Sequence, residues 1–285
     1  MGAAAFLAAR FVIVDEGMSP ADHRPIGVFD SGVGGLTVLR ALMARLPGEG
    51  TVYLGDTARV PYGTKSADVV TRYSVRNAEL LLKHDVKLLV VACNTASAVA
   101  LPALTQRLSI PVLGVIEPGA RAAAARSRNG RVGVIGTQGT VRSGAYQRAL
   151  EAARPGVTVL ARACPLFVPL AEEGWTSGDV PRMAAKRYLA ELSAAGVDTL
   201  VLGCTHYPLL RGVIAEAVGP DVALVDSAEA VAEAAAVLLE ARGALGGHAA
   251  PEHRYFLTDV PHQFVDVAAR FLGQKVESVE QVDIS

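Results

Sequence analysis

The sequence predicts an α/β protein with two pseudo-symmetric domains, each containing a mostly parallel sheet flanked by helices, and with its active site in the cleft between them. Short runs rich in Val, Ile and Leu alternate with helical patterns along the chain, as in doubly covered parallel sheets. The 285 residues are 51% hydrophobic and 19% charged, which is enough apolar material for a large core. Two different sequence segments also have a second, similar copy later in the chain, and the distance between copies is nearly the same for both.

Eight short apolar runs bounded by turn residues are predicted strands. They are residues 25–30, 51–56, 86–93, 110–115, 131–137, 157–163, 197–204 and 222–227. Helical patterns separate them; in the first, Leu36, Leu39 and Met43 recur at helical spacing before Pro47 and Gly48 end the run. The alternation of strand and helix favours a parallel sheet.

The repeated segments indicate that one α/β unit has been duplicated. "IGVFDSGVGG" begins at Ile26 and "VGVIGTQGTV" begins at Val132, 106 residues later. "VVACNTASA" contains Cys93 and "VLGCTHYPL" contains Cys204, 111 residues later. Because both pairs have nearly the same offset, we expect two similar domains that face each other.

The domain boundaries follow from the repeat. We expect residues 1–24 to form a mobile N-terminal extension and residues 118–227 to form the second domain. The first domain should contain residues 25–117 together with residues 228–285, because the C-terminal tail has no counterpart in the middle unit.

The amino-acid composition limits the classes of molecule that the protein is expected to bind. A formal net charge of -1, from 27 basic and 28 acidic residues, gives no basic surface typical of nucleic-acid or anionic membrane binding. No uncharged apolar run reaches the roughly 18 to 20 residues that a membrane helix needs. Three cysteines without a C-x-x-C spacing predict free thiols and a cytoplasmic location. We therefore expect a small polar ligand, and we also expect a homodimer, although no motif fixes the oligomeric state.

The two repeated cysteines are the strongest functional candidates. In a parallel sheet, ligands bind beyond the carboxyl ends of the strands, and a thiol at the start of the following helix has a lowered pKa. A single cysteine there is more often a small buried residue, but the duplication of Cys93 and Cys204 favours a function. Two thiols on opposite sides of a carbon suit inversion of a stereocentre, because one removes a proton and the other returns one. Cys164 has no such counterpart, and we interpret it as structural.

Six motifs occur in order between about Ile26 and Asp226, and together they resemble those of the glutamate racemases. They are "FDSGVGGLTVLR", "GDTARVPYGTKS", "VVACNTASA", "VIEPGA", "CPLFVPLAEEG" and "GCTHYPLL". The resemblance implies interconversion of L- and D-glutamate without a cofactor or metal, to supply D-glutamate for bacterial peptidoglycan. It also implies that Cys93 and Cys204 are the catalytic thiols.

The resemblance further implies a set of residues that contact the substrate. They are Asp30, Ser31, Tyr62, Gly63, Asn94, Thr95, Thr205 and His206. The additional catalytic acids and base fall on Asp30, His206 and an acidic residue of "AEEG", for which we favour Glu172 over Glu173. Cys204 with His206 is assigned to L-glutamate, and Cys93 with Asp30 to D-glutamate.

The same residues also permit plainer interpretations. Asp30 follows a strand, where it could reach a substrate ammonium or form an Asx-turn. His206 lies two residues from Cys204 and could assist it, whereas a lone histidine is more often an ordinary partly buried one. "PYG" at Tyr62 and Gly63 could close over a ligand or form a β-turn with a packing aromatic.

Four other functions compete with this interpretation. An aspartate racemase of the same superfamily shares the paired cysteines, but the "DSGVGG" and "GCTHYP" motifs favour glutamate. A non-catalytic zinc site of Cys93, Cys204 and His206 has suitable ligands, but the neighbouring hydroxyls and amide suit a zwitterion better. A nucleotide-binding turn lacks its third glycine, replaced by Thr37. A pyridoxal-phosphate enzyme needs a Schiff-base lysine, and no lysine lies in an evident phosphate-binding context.

Overall fold

A computed structural model describes residues 21–260, 264–276 and 278–284. Residues 1–20 of the expected extension therefore lie outside the described residues. At its described end, the carbonyl of Asp22 accepts a hydrogen bond of 2.6 Å from Lys87 Nζ, which ties this segment to the body of the protein.

Ten strands occur in the described ranges, and all eight predicted strands are among them. They are β1 (Ile26–Asp30), β2 (Thr51–Gly55), β3 (Leu88–Val91), β4 (Val112–Gly114), β5 (Arg131–Gly136), β6 (Thr158–Ala163), β7 (Thr199–Gly203), β8 (Ala223–Asp226), β9 (His253–Leu257) and β10 (Glu280–Gln281).

Twelve α-helices connect and cover the strands in the same ranges. They are α1 (Leu36–Arg45), α2 (Ala67–Leu82), α3 (Asn94–Val99), α4 (Leu101–Arg107), α5 (Ile116–Arg126), α6 (Gln138–Ser143), α7 (Ala145–Ala153), α8 (Phe167–Glu172), α9 (Asp179–Ala194), α10 (Arg211–Val218), α11 (Ser227–Ala241) and α12 (Phe264–Leu272). None of these helices has the length and apolar content needed to cross a membrane.

The strands form two sheets in which every neighbouring pair is parallel. The first sheet has the order β10-β9-β2-β1-β3-β4 and the second has the order β6-β5-β7-β8. The order β2-β1-β3-β4 is the same as β6-β5-β7-β8, so β5 repeats β1 and β7 repeats β3. The predicted α/β class with two similar parallel sheets is confirmed.

The C-terminal tail adds β9 and β10 to the first sheet, next to β2. The first sheet's earlier strands end at β4, and the second sheet begins at β5. Helix α11 connects the second sheet to the tail and packs on both α1 and α5. The division at residues 117/118 and 227/228 remains a proposal that this strand assignment supports.

One cluster of buried apolar side chains extends through both halves. It includes Leu39 of α1, Leu202 of β7 and Val231 of α11, all inaccessible to solvent. Truncation of a leucine in such a core costs about 2–5 kcal/mol of unfolding free energy. The two sheets therefore share one hydrophobic core.

The strand order places the two repeated cysteines at equivalent points. The order of the connections reverses between β1 and β3 in the first sheet and between β5 and β7 in the second. In parallel sheets, a crevice that binds ligands opens at the carboxyl ends of the strands where this reversal occurs. Cys93 follows β3 by two residues, and Cys204 follows β7 directly.

Candidate active site

Cys93 caps the N-terminus of α3 and is only 5% exposed. Its Sγ accepts a hydrogen bond of 3.5 Å from the N–H of Ala96 and lies 3.4 Å from Ser31 Oγ, its other hydrogen-bond partner. The end of β3 and the loop after β1 therefore jointly position this thiol.

The expectation of a lowered pKa is wrong for Cys93. Burial raises the pKa of this thiol to about 12, and the negative charge of Asp30 acts in the same direction. The Ser31 hydroxyl and the N–H of Ala96 oppose the rise without reversing it. Loss of hydration at a fully buried position exceeds the stabilisation that one short helix gives a thiolate.

Cys204 does not begin an α-helix, contrary to the expectation from its repeat. Two turn residues and a short 3-10 helix at Tyr207–Leu210 come before α10. Pro208 explains the difference, because it has no N–H to donate to the carbonyl of Cys204, as an α-helix would require. The N–H of Tyr207 bonds that carbonyl instead, at 3.1 Å.

His206 bridges Cys204 and Glu172. Its Nδ1 lies 3.8 Å from Cys204 Sγ, and its Nε2 lies 2.8 Å from Glu172 Oε1. Burial lowers the pKa of His206, but the hydrogen bonds to Cys204 and Glu172 outweigh it and raise the pKa to about 10. The structure places Glu172 at His206, whereas Glu173 is exposed to solvent.

The C-terminal helix α12 supports this group, which the sequence did not indicate. The ring of Phe271 lies edge-on to His206 at 5.1 Å between centroids. Arg270 donates a hydrogen bond to the backbone carbonyl of Glu172. The contact could not be predicted, because the segment has no counterpart in the repeat.

Two buried polar atoms at the site lack hydrogen-bond partners within the described part of the chain, namely Asp30 Oδ1 and Asn94 Nδ2. Asp30 Oδ2 accepts a bond of 3.0 Å from the N–H of Gly32, and burial raises the pKa of this carboxyl against the pull of His206. An unpaired buried acceptor and an unpaired buried donor are costly. They suit the ammonium and carboxylate of a zwitterionic ligand.

Three threonine hydroxyls cluster beside these residues. Thr95 Oγ1 lies 2.9 Å from Thr137 Oγ1 and 3.2 Å from Thr140 Oγ1. The sequence reasoning missed Thr137 and Thr140, although Thr137 follows Ser31 by 106 residues, the spacing that relates the two repeated strands. The spacing of the repeat could therefore have indicated Thr137.

Glycines let the two halves approach closely at the site. A Cβ on Gly34, in the loop after β1, would lie 2.5 Å from His206 Nδ1. A Cβ on Gly63 would lie 2.7 Å from Thr137 Cβ, in the other half. The loops after β1 and β2 thus meet those after β7 and β5, and the carboxyl edges of the two sheets face one another.

Two further residues that were predicted to contact the substrate, Thr205 and Tyr62, have different surroundings. Thr205 is buried at this junction, and its carbonyl accepts a bond of 3.2 Å from Thr37 Oγ1. The hydroxyl of Tyr62 is hydrogen-bonded to the side chains of Asp56 and Asn77. Neither partner is among the residues predicted to contact the substrate.

The arrangement joins two thiols from two similar sheets in one buried site. Cys93 and Cys204 are 5% and 6% exposed, and a negative charge on Cys204 contributes to the raised pKa of Cys93. Within the described ranges, no three side chains of His, Cys, Asp or Glu are arranged to hold a metal. The two buried thiols are groups that can transfer protons.

Comparisons with known proteins agree with this geometry. The sequence profile of the Asp/Glu/Hydantoin racemase family matches residues 26–235. The chain is 60% identical over 262 residues to a glutamate racemase of Geobacter metallireducens, covering 92% of this chain and 97% of that protein.

Two solved structures are also similar, and each match covers 92% of this chain and 98% of the other. A glutamate racemase isoform of Bacillus anthracis has a TM-score of 0.89 at 42% identity. The glutamate racemase of Francisella tularensis, solved in complex with D-glutamate, has a TM-score of 0.87 at 38% identity. With this likeness in sequence and fold, the chain belongs to the Asp/Glu/Hydantoin racemase family.

Proposed function

We propose that this chain is a glutamate racemase, which interconverts L- and D-glutamate by proton transfer between two thiols. The observation that carries the proposal is the placement of Cys93 and Cys204 at equivalent ends of two similar sheets whose edges meet. The similarity to proteins named glutamate racemase, at up to 60% identity over nearly the whole chain, supports glutamate as the substrate.

The proton balance of the reaction is simple. One cysteine, as a thiolate, removes the α-proton from one face of the substrate, and the other cysteine, as a thiol, gives a proton to the opposite face. The product is the other enantiomer, and the two cysteines have exchanged protonation states. The reverse turnover or proton exchange with water restores the starting form.

The assisting residues follow from their contacts. A protonated His206 stabilises the negative charge that Cys204 carries after it has given up its proton, and Glu172 keeps His206 protonated. Asp30, whose pKa is raised, is the group beside Cys93 that can exchange a proton with it. We assign the Cys204 side to L-glutamate and the Cys93 side to D-glutamate.

Substrate binding is proposed to use the unpaired atoms of the site. Asp30 Oδ1 accepts from the ammonium, and Asn94 Nδ2 donates to a carboxylate. Hydroxyl and N–H groups complete the binding of the two carboxylates. They come from Ser31, Gly63, Thr95, Thr205 and, in addition to the predicted set, Thr137 and Thr140.

The test is circular dichroism of L-glutamate incubated with the purified protein and no added cofactor. The signal should decay to zero as the racemate forms, with the same end point from D-glutamate, and a chelator should leave the rate unchanged. Dependence on pyridoxal phosphate, or loss of the rate with chelator, would contradict a mechanism based on thiols alone.

Parallel incubations with L-aspartate separate the nearest alternative. We expect little or no change in its signal at protein concentrations that racemise L-glutamate within minutes. Faster racemisation of aspartate would assign the chain to the aspartate branch. Metal analysis of the same preparation tests the zinc alternative, for which stoichiometric zinc would be required.

The cellular role, location and assembly are part of the proposal. We assign the protein to the cytoplasm, supported by three free cysteines, and to the supply of D-glutamate for peptidoglycan. We propose a homodimer, supported by four apolar side chains within residues 166–183 that are each more than half exposed. They are Leu166, Trp175, Val180 and Met183. Light scattering on the eluting protein measures the assembly, and a monomeric mass would refute the dimer.

A further inference from the structure

A buried tyrosine of the second half reaches a residue of the first half at the active site. Tyr146 lies on α7, is 1% exposed, and donates a hydrogen bond of 2.7 Å from its hydroxyl to Asn94 Oδ1. The two residues are 52 positions apart. Asn94 lies on α3, which follows a strand of the first sheet, and Tyr146 lies on α7, which follows a strand of the second sheet. The bond therefore crosses from one repeated unit to the other.

This bond determines which way the Asn94 amide faces. An amide has one acceptor oxygen and one donor nitrogen, so a donor that engages the oxygen fixes the direction of the nitrogen. Here the oxygen is bound to Tyr146, and the nitrogen is the buried atom that lacks a partner within the described part of the chain. The amide presents only donor hydrogens to the ligand, as recognition of a carboxylate requires.

The start of α11 packs beside this pair. Ser227, the first residue of α11, is buried, and a Cβ on Gly119 would lie 3.2 Å from Ser227 Cβ and 3.4 Å from the Tyr146 hydroxyl oxygen. The connecting helix therefore helps to enclose the hydroxyl that bonds Asn94.

We propose that Tyr146 is a positioning residue for substrate binding, which acts through Asn94 by holding its Nδ2 toward a substrate carboxylate. This inference rests on the proposed racemase function. Tyr146 neither touches the reacting carbon nor moves a proton in the reaction. Its loss should therefore affect the affinity for glutamate much more than the rate of the chemical step.

The first test is Tyr146→Phe, which removes the hydroxyl and keeps the buried ring. We expect KM for both enantiomers to rise about three- to tenfold, the usual range for one neutral hydrogen bond, and kcat to change less than twofold. Tyr207→Phe is the matched control, because Tyr207 is equally buried and its hydroxyl bonds a backbone carbonyl at 2.8 Å. It should leave KM within twofold of the wild type.

The second test asks whether Tyr146 acts through Asn94. Glutamate binding is measured by calorimetry for Asn94→Ala alone and combined with Tyr146→Phe. If Tyr146 acts only by orienting the amide, the second substitution adds nothing once the amide is gone. Equal dissociation constants for the single and double variants are expected, and a further weakening of threefold or more in the double variant would overturn the inference.

The wild-type protein separates the two proposals. If it racemises glutamate and Tyr146→Phe leaves KM unchanged, or lowers kcat while KM stays constant, the positioning role is wrong and the racemase stands. If the wild-type protein neither binds nor racemises glutamate, both proposals are wrong.

Discussion

His206 holds Glu172 with one ring nitrogen, at 2.8 Å, and faces the sulfur of Cys204 with the other, at 3.8 Å. His206 is buried, whereas the side chain of Glu172 is 39% exposed. The imidazole thus connects a thiol in the cleft to a carboxylate near solvent, and its charge depends on both.

Replacing Glu172 with Gln should lower the pKa of His206, because the carboxylate is one of the two hydrogen-bond partners that raise it to about 10. The folded-state pKa lies above the ordinary 6.5. The contribution of His206 to stability is therefore complete below pH 6.5 and is lost as the pH rises through about 10. NMR titration of the histidine ring protons measures the shift.

Glu173→Gln is the control for this prediction, because Glu173 is the exposed neighbour. Its His206 titration should match that of the wild type. If both variants shift the midpoint equally, or if neither does, the direct Glu172–His206 interaction does not set the charge of the imidazole.

Two substitutions next to Cys93 should shift its pKa in opposite directions. Asp30→Asn removes a negative charge that disfavours the thiolate and should lower the pKa of Cys93. Ser31→Ala removes a hydrogen bond that favours the thiolate and should raise it. The pH dependence of iodoacetamide labelling at Cys93, read by peptide mass spectrometry, reports the midpoint in each variant.

Racemisation should fall in the Asp30→Asn variant even though its Cys93 thiol is more acidic, since the carboxyl that is proposed to exchange a proton with Cys93 is missing. Labelling midpoints that move in the same direction in both variants would show that global opening, and not these contacts, controls the access to Cys93.

Thr137→Val should weaken glutamate binding by about tenfold, because the half-buried Thr137 hydroxyl is proposed to bond a charged substrate carboxylate, and such a bond is worth more than a neutral one. The change conserves shape and removes only the hydroxyl that joins Thr95 and Thr140. Thr137→Ser keeps the hydroxyl and should restore most of the affinity. Calorimetry measures the dissociation constant of glutamate for each variant. If both variants weaken binding equally, the effect comes from the packing of the side chain and not from its hydrogen bonds.

The repeat explains how much of the fold could be predicted. The offsets between the strands that begin at Ile26 and Val132 and between Cys93 and Cys204 were sufficient to predict two similar parallel sheets. The position of Pro208 after Cys204 was also visible and could have predicted the missing helix start. Local patterns of this kind depend on neighbours in the sequence.

Burial and long-range contacts could not be predicted in the same way. The pKa of Cys93 depends on how fully both halves exclude water from it, which no local pattern encodes. The contacts of Tyr146 with Asn94 and of Phe271 with His206 join residues 52 and 65 positions apart. They follow only from the way in which the two units and the tail pack together.

The proposed racemisation requires two thiols that act from opposite faces of the substrate. Cys93→Ala and Cys204→Ala should each abolish net racemisation, because either variant lacks one partner of the proton transfer. Cys164→Ala, at the third cysteine, should retain it, because Cys164 is buried and its sulfur is hydrogen-bonded to the backbone carbonyl of Arg162. The two enantiomers have equal free energies, so kcat/KM is the same for L- and D-glutamate. A preference of one thiol for one enantiomer can therefore be seen only when the α-proton exchanges with solvent without inversion.

The decisive measurement is NMR of L- and D-glutamate in heavy water with each of the three variants. We expect no inversion with Cys93→Ala or Cys204→Ala, with any residual α-proton exchange favouring L-glutamate in the first and D-glutamate in the second. A reversed exchange preference would contradict the assignment of the two faces. Racemisation near the wild-type rate in either variant would contradict the two-thiol mechanism itself.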